Sequence, residues 1–164
     1  MFREMRRKNC VISTETAEKI LREGIFGVLA LSGDDGYGYA VPISYAVDGN
    51  KIYFHSAKVG HKIDSIARNE KVSFCVVDKH ETVAEEFTSY FSSAIAFGRI
   101  KVVEDRAEKL HGLELLADKY SSTASVERRE REISRVDALA VLVLEIEHLT
   151  GKAARELVKS GKIS

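Results

Sequence analysis

The sequence predicts a mainly β fold, a small antiparallel barrel of about six strands with two or three helices on its outside. Short apolar segments are separated by turn signals, and helical segments do not alternate with them regularly, so a parallel βαβ sheet has no support. The segments 39–47 and 51–57 flank Asp-Gly-Asn, which is a strong hairpin signal. No Gly-x-Gly-x-x-Gly motif is present, which removes the main indication of a dinucleotide-binding fold.

The N-terminal quarter predicts a capped helix followed by a strand. Ser13 or Thr14 can cap the helix, apolar side chains recur on one face of it, and Gly24 can end it. The apolar run 25–32 then predicts a short strand that stops at the turn sequence Gly-Asp-Asp-Gly.

Pro42 lies inside the next predicted strand, where it cannot donate a hydrogen bond to a neighbour. It therefore predicts an edge strand, a bulge, or a place where another group approaches the backbone. Gly98 lies inside a long predicted strand and allows a bend there. The remaining predicted elements are a helix ending near Asn69, strands over 71–78, 90–104 and 138–152, and helices over 105–120 and 125–137.

The length of 164 residues suits a single domain, because smaller pieces would have poor cores. We expect one domain over 1–164, with an N-terminal arm and helix in 1–24, the barrel with its inserted helices in 25–150, and a C-terminal tail in 151–164. No linker, repeat or low-complexity segment divides it.

Composition excludes several classes of protein. Lys and Arg together number 25, as do Asp and Glu, so the basic excess of a nucleic-acid-binding protein is missing. The two cysteines are far apart, and the histidines show no metal-ligand spacing, so we expect no metal site. No apolar run is long enough to span a membrane, and no secretory signal is visible. These features predict a cytoplasmic protein that binds neither nucleic acid nor membrane.

Hydrogen-bond donors concentrate where a predicted strand meets a predicted short helix, in the segment YFHSAKVGHKIDSI, residues 53–66. The backbone amides at a helix N-terminus are unpaired and attract anions. Gly60 allows a tight turn, and the nearby side chains add hydroxyl, imidazole and ammonium donors. The segment is a plausible cradle for one phosphate monoester, although an ordinary polar loop is an equally good explanation from these residues alone. The donors are Ser56, Lys58, His61 and Lys62.

The run YAVPISYAVDGNKIYFHSAKVGHKIDSIARNEKVSFCVV resembles the flavin-binding split-barrel proteins related to pyridoxamine phosphate oxidase. Within that family the chain looks most similar to the nitroimidazole-resistance (Nim-like) branch. MRRK near the start, GVLALSGDDGYGYAVPISY, and IEHLTGKAAREL at the end fit the same branch. The resemblance implies a six-stranded antiparallel split β-barrel with Greek-key connections, of the FMN-binding type. It also implies a homodimer with FMN at the subunit interface.

The resemblance further implies the residues that contact the flavin. In the oxidase, a Phe-Tyr-Thr-Asn segment followed by Ser-Arg-Lys holds the phosphate, and its Thr, Arg and Lys positions fall here on Ser56, His61 and Lys62. Gly60 falls where the oxidase has Ser, so one hydroxyl is lost. An upstream strand beside the flavin ring falls on 40–44, with Ala40 in place of Arg. The implied cofactor-binding residues are Val41, Pro42, Ile43, Ser44, His55, Ser56, Ala57, Lys58, His61 and Lys62.

The function implied by the resemblance is that of an FMN-dependent oxidoreductase acting on a small electron-poor substrate, with nitro-group reduction as the specific candidate. The oxidase's Trp- and Arg-bearing substrate motif is missing, and the chain has no Trp, so oxidation of pyridoxamine phosphate is not expected. The catalytic residue is unknown; His55 is the candidate, and an ordinary partly buried histidine is the equal alternative. The alternative function is a non-catalytic flavin- or haem-binding split-barrel protein.

Overall fold

A computed structural model describes residues 2–163, which form five α-helices and seven β-strands. The helices are α1 (Thr14–Glu23), α2 (His61–Arg68), α3 (Arg106–Tyr120), α4 (Val126–Ile133) and α5 (Arg155–Lys159). The strands are β1 (Phe26–Ser32), β2 (Gly38–Ser44), β3 (Ala46–Asp48), β4 (Lys51–Ser56), β5 (Lys71–Val83), β6 (Thr88–Val102) and β7 (Ala140–Ala153).

All seven strands belong to one sheet in the order β2-β1-β5-β6-β7-β4-β3, and every pairing is antiparallel. The predicted antiparallel architecture is confirmed, but the predicted count of six strands is wrong. The hydrogen-bonded ladder is also open, since β2 and β3 are its two edges. Strands β5, β6 and β7 lie side by side with β4 next to β7, which is a Greek-key order.

The extra strand arises because the segment predicted as one strand over 39–47 is interrupted at Tyr45. Tyr45 is fully buried, and its hydroxyl donates a 2.6 Å hydrogen bond to the carbonyl of Leu21. The chain therefore leaves one edge of the sheet at Ser44 and joins the other edge at Ala46. Two edges joined by a single residue require the sheet to curl round on itself, as a split barrel does.

The curled sheet encloses the larger of two hydrophobic cores. Side chains from β1, β4, β5, β6 and β7 meet there with the apolar face of α1, among them Leu29, Phe54, Phe74 and Leu142. A second cluster lies on the outer face of β4 and β7, where α3 covers Tyr53 and Val141 with its buried leucines.

Helix α1 and the hairpin of β3 and β4 follow the sequence prediction. The Ser13 hydroxyl accepts a 3.2 Å hydrogen bond from the Thr16 amide, and Gly24 ends α1. The turn between β3 and β4 contains Gly49 at a φ of 56°. Strand β2 is an edge strand, which is one of the three alternatives that Pro42 predicts, since β1 is its partner on one side only.

Gly98, where the sequence predicts that a bend is allowed, lies at an irregularity in the pairing of β6 with β7. A Cβ atom on this residue would lie 2.0 Å from the carbonyl oxygen of Glu145. The two backbones approach so closely that only glycine fits.

The outer face of β1, β2, β5 and β6 carries apolar side chains that α3 does not cover. Phe26 and Val77 are 66% and 61% exposed there. One row of outward residues crosses five neighbouring strands in register: Pro42, Val28, Cys75, Ile95 and Thr150. The first four members of this row are apolar and Thr150 is polar, so the apolar surface spans four strands.

Candidate functional site

The corner between β4 and α2 brings two of the predicted phosphate ligands together. The Lys62 ammonium donates a 3.2 Å hydrogen bond to the Ser56 hydroxyl. Lys62 is half-buried, and this burial lowers the pKa of its ammonium group. Within residues 2–163, no carboxylate lies within 4.0 Å of it. A half-buried cation whose partner is a neutral hydroxyl is suited to an incoming anion.

The N-terminus of α2 is open at the same corner. Its N-cap residue is Gly60, which has a φ of 121° and supplies no side-chain cap. The first amides of the helix are therefore available to a ligand. The connecting residues Ala57 and Lys58 are exposed.

His61 has partners that the sequence did not indicate. Its ring stacks on Tyr39 of β2 with ring centroids 4.1 Å apart and an interplanar angle of 15°. Its Nε2 lies 3.3 Å from Oδ2 of Asp34, and Asp34 also forms an ion pair with Arg68. The guanidinium of Arg68 lowers the pKa of the Asp34 carboxyl through a hydrogen bond. Hence one acid lies beside the predicted phosphate site, and α2 is tied to the turn before β2.

The predicted ring-contact residues lie along the edge strand β2. Val41 and Ile43 point inward and pack against the main core. Pro42 and Ser44 alternate with them and point outward, opposite Val28 and Phe26 of β1. The backbone of β2 is free on the side away from β1, so it can present carbonyl and amide groups to a flat ring system.

His55 lies at the end of β4, opposite Val141 of β7, and is exposed. Together with Ser44 it lines a cleft of about 580 Å³ between the sheet and the helices α3 and α4. The structure therefore places predicted residues of β2 and β4 at one opening. Tyr120 also lines this cleft, and it donates a 2.8 Å hydrogen bond to the Tyr45 carbonyl.

Sequence reasoning identified the corner but missed the residues that surround it. Asp34 comes from the turn between β1 and β2, and Tyr39 comes from β2. The α3 and α4 residues of the cleft lie more than fifty positions away from His55 along the chain. Asp34 stands in a run that indicates only a turn, and the α4 sequence indicates only a solvated helix. No local signal connects either of them to the corner.

The chain belongs to the pyridoxamine 5'-phosphate oxidase family, whose model matches residues 13–153. It is 30% identical over 152 residues to the uncharacterized protein RA0666 of Rhizobium meliloti (strain 1021), a match covering 88% of this chain and 94% of that protein.

Solved structures share the fold. A candidate 5-nitroimidazole antibiotic resistance protein from Bacteroides thetaiotaomicron superposes with a TM-score of 0.75 and 22% identity, covering 88% of this chain and 86% of the other. An FAD-binding protein from Mesorhizobium loti superposes with a TM-score of 0.66 and 22% identity, and the match covers 88% of this chain and 96% of that protein. The FAD- and heme-binding protein of Mycobacterium smegmatis superposes with a TM-score of 0.70 and 20% identity, and the match covers 94% of this chain and 80% of that protein. None of the helices within residues 2–163 is long and apolar enough to cross a membrane.

Proposed function

We propose that this protein binds FMN and uses it to reduce a small electron-poor substrate, with a nitro compound as the specific candidate. The observation that carries the proposal is Lys62, a half-buried ammonium bonded to Ser56 at the open N-terminus of α2. A phosphate monoester would supply the missing negative charge and would accept bonds from Lys62, Ser56 and the first amides of α2. Lys58 and His61 would add further hydrogen-bond donors.

The ring system would lie along β2, whose residues 41–44 end at the cleft that His55 lines. A flavin supplies hydride or single-electron transfer when it is bound, and the protein positions it and tunes it with nearby hydrogen bonds. Backbone groups on the free side of β2 are suited to the edge of the ring. His55 is exposed at the cleft, where its imidazole would be the proton donor to a bound substrate.

A homodimer is part of the proposal. The apolar part of the outward row crosses four strands and begins at Pro42, on the strand assigned to the ring. A second copy packed on this face would bury Phe26 and Val77 and would cover the outer side of β2. The flavin would then lie between two subunits, and the partner would complete the site.

The family and the fold neighbours support a flavin, and two of the neighbours described above bind FAD. FMN is preferred because the corner between β4 and α2 accounts for one phosphate. A haem would leave the Lys62 and Ser56 pair without a role, so a haem-binding protein is the second candidate, supported by the Mycobacterium smegmatis neighbour.

The deciding experiment is the visible absorption spectrum of the purified protein, with the released cofactor identified by mass. We expect the two absorption bands of an oxidised flavin and the mass of FMN. The mass of FAD would correct the cofactor, and a sharp Soret band would transfer the proposal to haem. Colourless protein that also fails to bind added flavin would overturn it. Anaerobic protein reduced with dithionite should then be reoxidised by a nitroarene, and failure of that step would leave only flavin binding.

A further inference from the structure

The cleft beside His55 has an apolar floor formed by helices α3 and α4 and by the segment before β7. Its volume of about 580 Å³ lies within the range typical of small-molecule sites. Leu113 and Leu116 of α3 and Ile133 of α4 are among its lining residues, with alanines between them. A lining of this kind favours the apolar body of a ligand.

The rim of the same cleft has more basic than acidic side chains. Three arginines line it, Arg128, Arg129 and Arg135, against one carboxylate, that of Glu132. Glu132 lies 3.4 Å from the Arg135 guanidinium and 3.9 Å from that of Arg131, which does not line the cleft. Within residues 2–163, no carboxylate lies within 4.0 Å of Arg128. The titratable groups that line the cleft from other elements are His55 and Tyr120, and Asp118 of α3, which is not a lining residue, forms an ion pair with Arg129.

Arg129 is the most enclosed of the three arginines. Its side chain is 27% exposed and forms an ion pair with Asp118 of α3. Its Nε is buried, and no atom of residues 2–163 accepts a hydrogen bond from it. A buried guanidinium N–H without a partner is costly, and in native proteins such a group usually has one. The accessible parts of the three arginines are suited to an anion in the cleft, since guanidinium groups bind carboxylates and phosphates in a planar, paired geometry.

We propose that this cleft binds a small organic anion, with its apolar body on α3 and its carboxylate or phosphate group held by Arg129 and its two neighbouring arginines. Ser44 and His55 line the same cleft, so the bound anion lies beside the strand assigned to the flavin ring. Small organic anions of this kind are therefore the class of substrate that we assign to the reductase. The assignment as substrate rests on the proposed flavin function, whereas the binding of the anion does not.

The test is isothermal titration of the full-length protein with two anionic probes and one neutral probe. The probes are para-nitrobenzoate, para-nitrophenyl phosphate and the methyl ester of para-nitrobenzoate. We expect at least one anion to bind about tenfold or more tightly than the ester, because charge-assisted bonds are lost with the negative charge. Whichever anion binds more tightly identifies the head group as carboxylate or phosphate. Equal binding of all three, or no binding of either anion, would overturn the proposal.

Variants locate the site. Arg129→Gln should weaken anion binding about tenfold, and Arg128→Gln should weaken it in the same direction, since each removes a charged donor. Arg131→Gln is the matched control, because Arg131 is on α4 but outside the cleft. If Arg129→Gln does not fold, the affinity of Arg128→Gln for the anions, compared with its affinity for the ester, still shows whether the cleft binds the anion. Loss of binding in Arg131→Gln equal to that in Arg128→Gln would show a general charge effect and would overturn the assignment.

The flavin content of each sample separates this proposal from the proposed function. With flavin bound, Arg128→Gln should raise KM for para-nitrobenzoate and leave flavin absorbance unchanged. Normal flavin content without anion binding would overturn the anionic substrate class and leave the proposed flavin function standing. Anion binding in a protein that takes up no flavin would support the anion site and overturn the proposed reductase function.

Discussion

The hydroxyl of Tyr120 contacts both backbone groups of Tyr45: it accepts a 2.9 Å hydrogen bond from the Tyr45 amide and lies 2.8 Å from the Tyr45 carbonyl. Tyr120 is the last residue of α3, and Tyr45 interrupts the strand that links the two edges of the sheet. The contact therefore satisfies the backbone at the one residue where strand pairing stops. It also fixes the end of α3 next to Ser44, which lines the same cleft as Tyr120.

Replacing Tyr120 by phenylalanine should destabilise the protein by about 1–3 kcal/mol, because two backbone groups of a buried residue lose their partner. The free energy of unfolding in urea measures this. Tyr37→Phe is the control: its side chain is 78% exposed, and we expect a change within about 0.5 kcal/mol. Equal stability of the two variants would show that the Tyr120 hydroxyl is dispensable.

Stability should fall at alkaline pH, in part through Tyr45. Burial raises the pKa of the Tyr45 hydroxyl above that of an unfolded tyrosine. The folded state then holds the Tyr45 proton more tightly than the unfolded state does. The resulting contribution to the free energy of unfolding is complete below about pH 10, the pKa of an unfolded tyrosine. It is lost as the pH rises through the pKa of the folded state. Urea midpoints measured from pH 8 upward should decline less steeply in Tyr45→Phe than in the wild type. Parallel declines would contradict the assignment.

Gly98→Ala should be strongly destabilising, by about 3 kcal/mol or more, since the new Cβ would lie 2.0 Å from a backbone oxygen that cannot move without disturbing β7. Gly38→Ala is the matched control in β2, where nothing lies within 4 Å of the added atom. Thermal unfolding of both variants measures the difference. A Gly98→Ala protein as stable as Gly38→Ala would mean that the two strands are not so close.

Lys62→Ala combined with His61→Ala should weaken flavin binding about tenfold or more, because charge-assisted hydrogen bonds to the phosphate contribute roughly 1.5–3 kcal/mol each. Flavin fluorescence quenching during titration of the apoprotein measures the affinity. Lys19→Ala, an exposed lysine on α1, should bind flavin normally. Unchanged affinity in the double variant would rule out the phosphate site at α2.

Phe26→Glu should convert the proposed dimer to a monomer, because it places a charge on the apolar face that the second copy would cover. Light scattering after gel filtration should then give the mass of one chain, 18.3 kDa. Val126→Glu is the control on α4, with the same exposed fraction of 66% as Phe26. A wild-type protein that is already monomeric would reject the dimer.

Local sequence patterns predicted most of the elements correctly because the forces behind them act over a few residues. Ser13 caps α1, and the alternation of Val72, Phe74 and Val76 places all three in the core. In contrast, β5 continues to Val83 through a polar run that has no strand pattern of its own. That extension exists because β6 pairs with it as far as Thr88. Pairing between distant segments overrode local preference there.

The candidate site divides in the same way. The sequence by itself determined the donors at the corner between β4 and α2, because a strand end, Gly60 and a helix start are neighbours along the chain and carry their own turn and amide geometry. Only the tertiary structure decided that Asp34 faces His61 and that the α4 arginines line the same cleft as His55. These groups meet because the chain breaks at Tyr45 and the sheet curls, and no short-range pattern encodes that curvature.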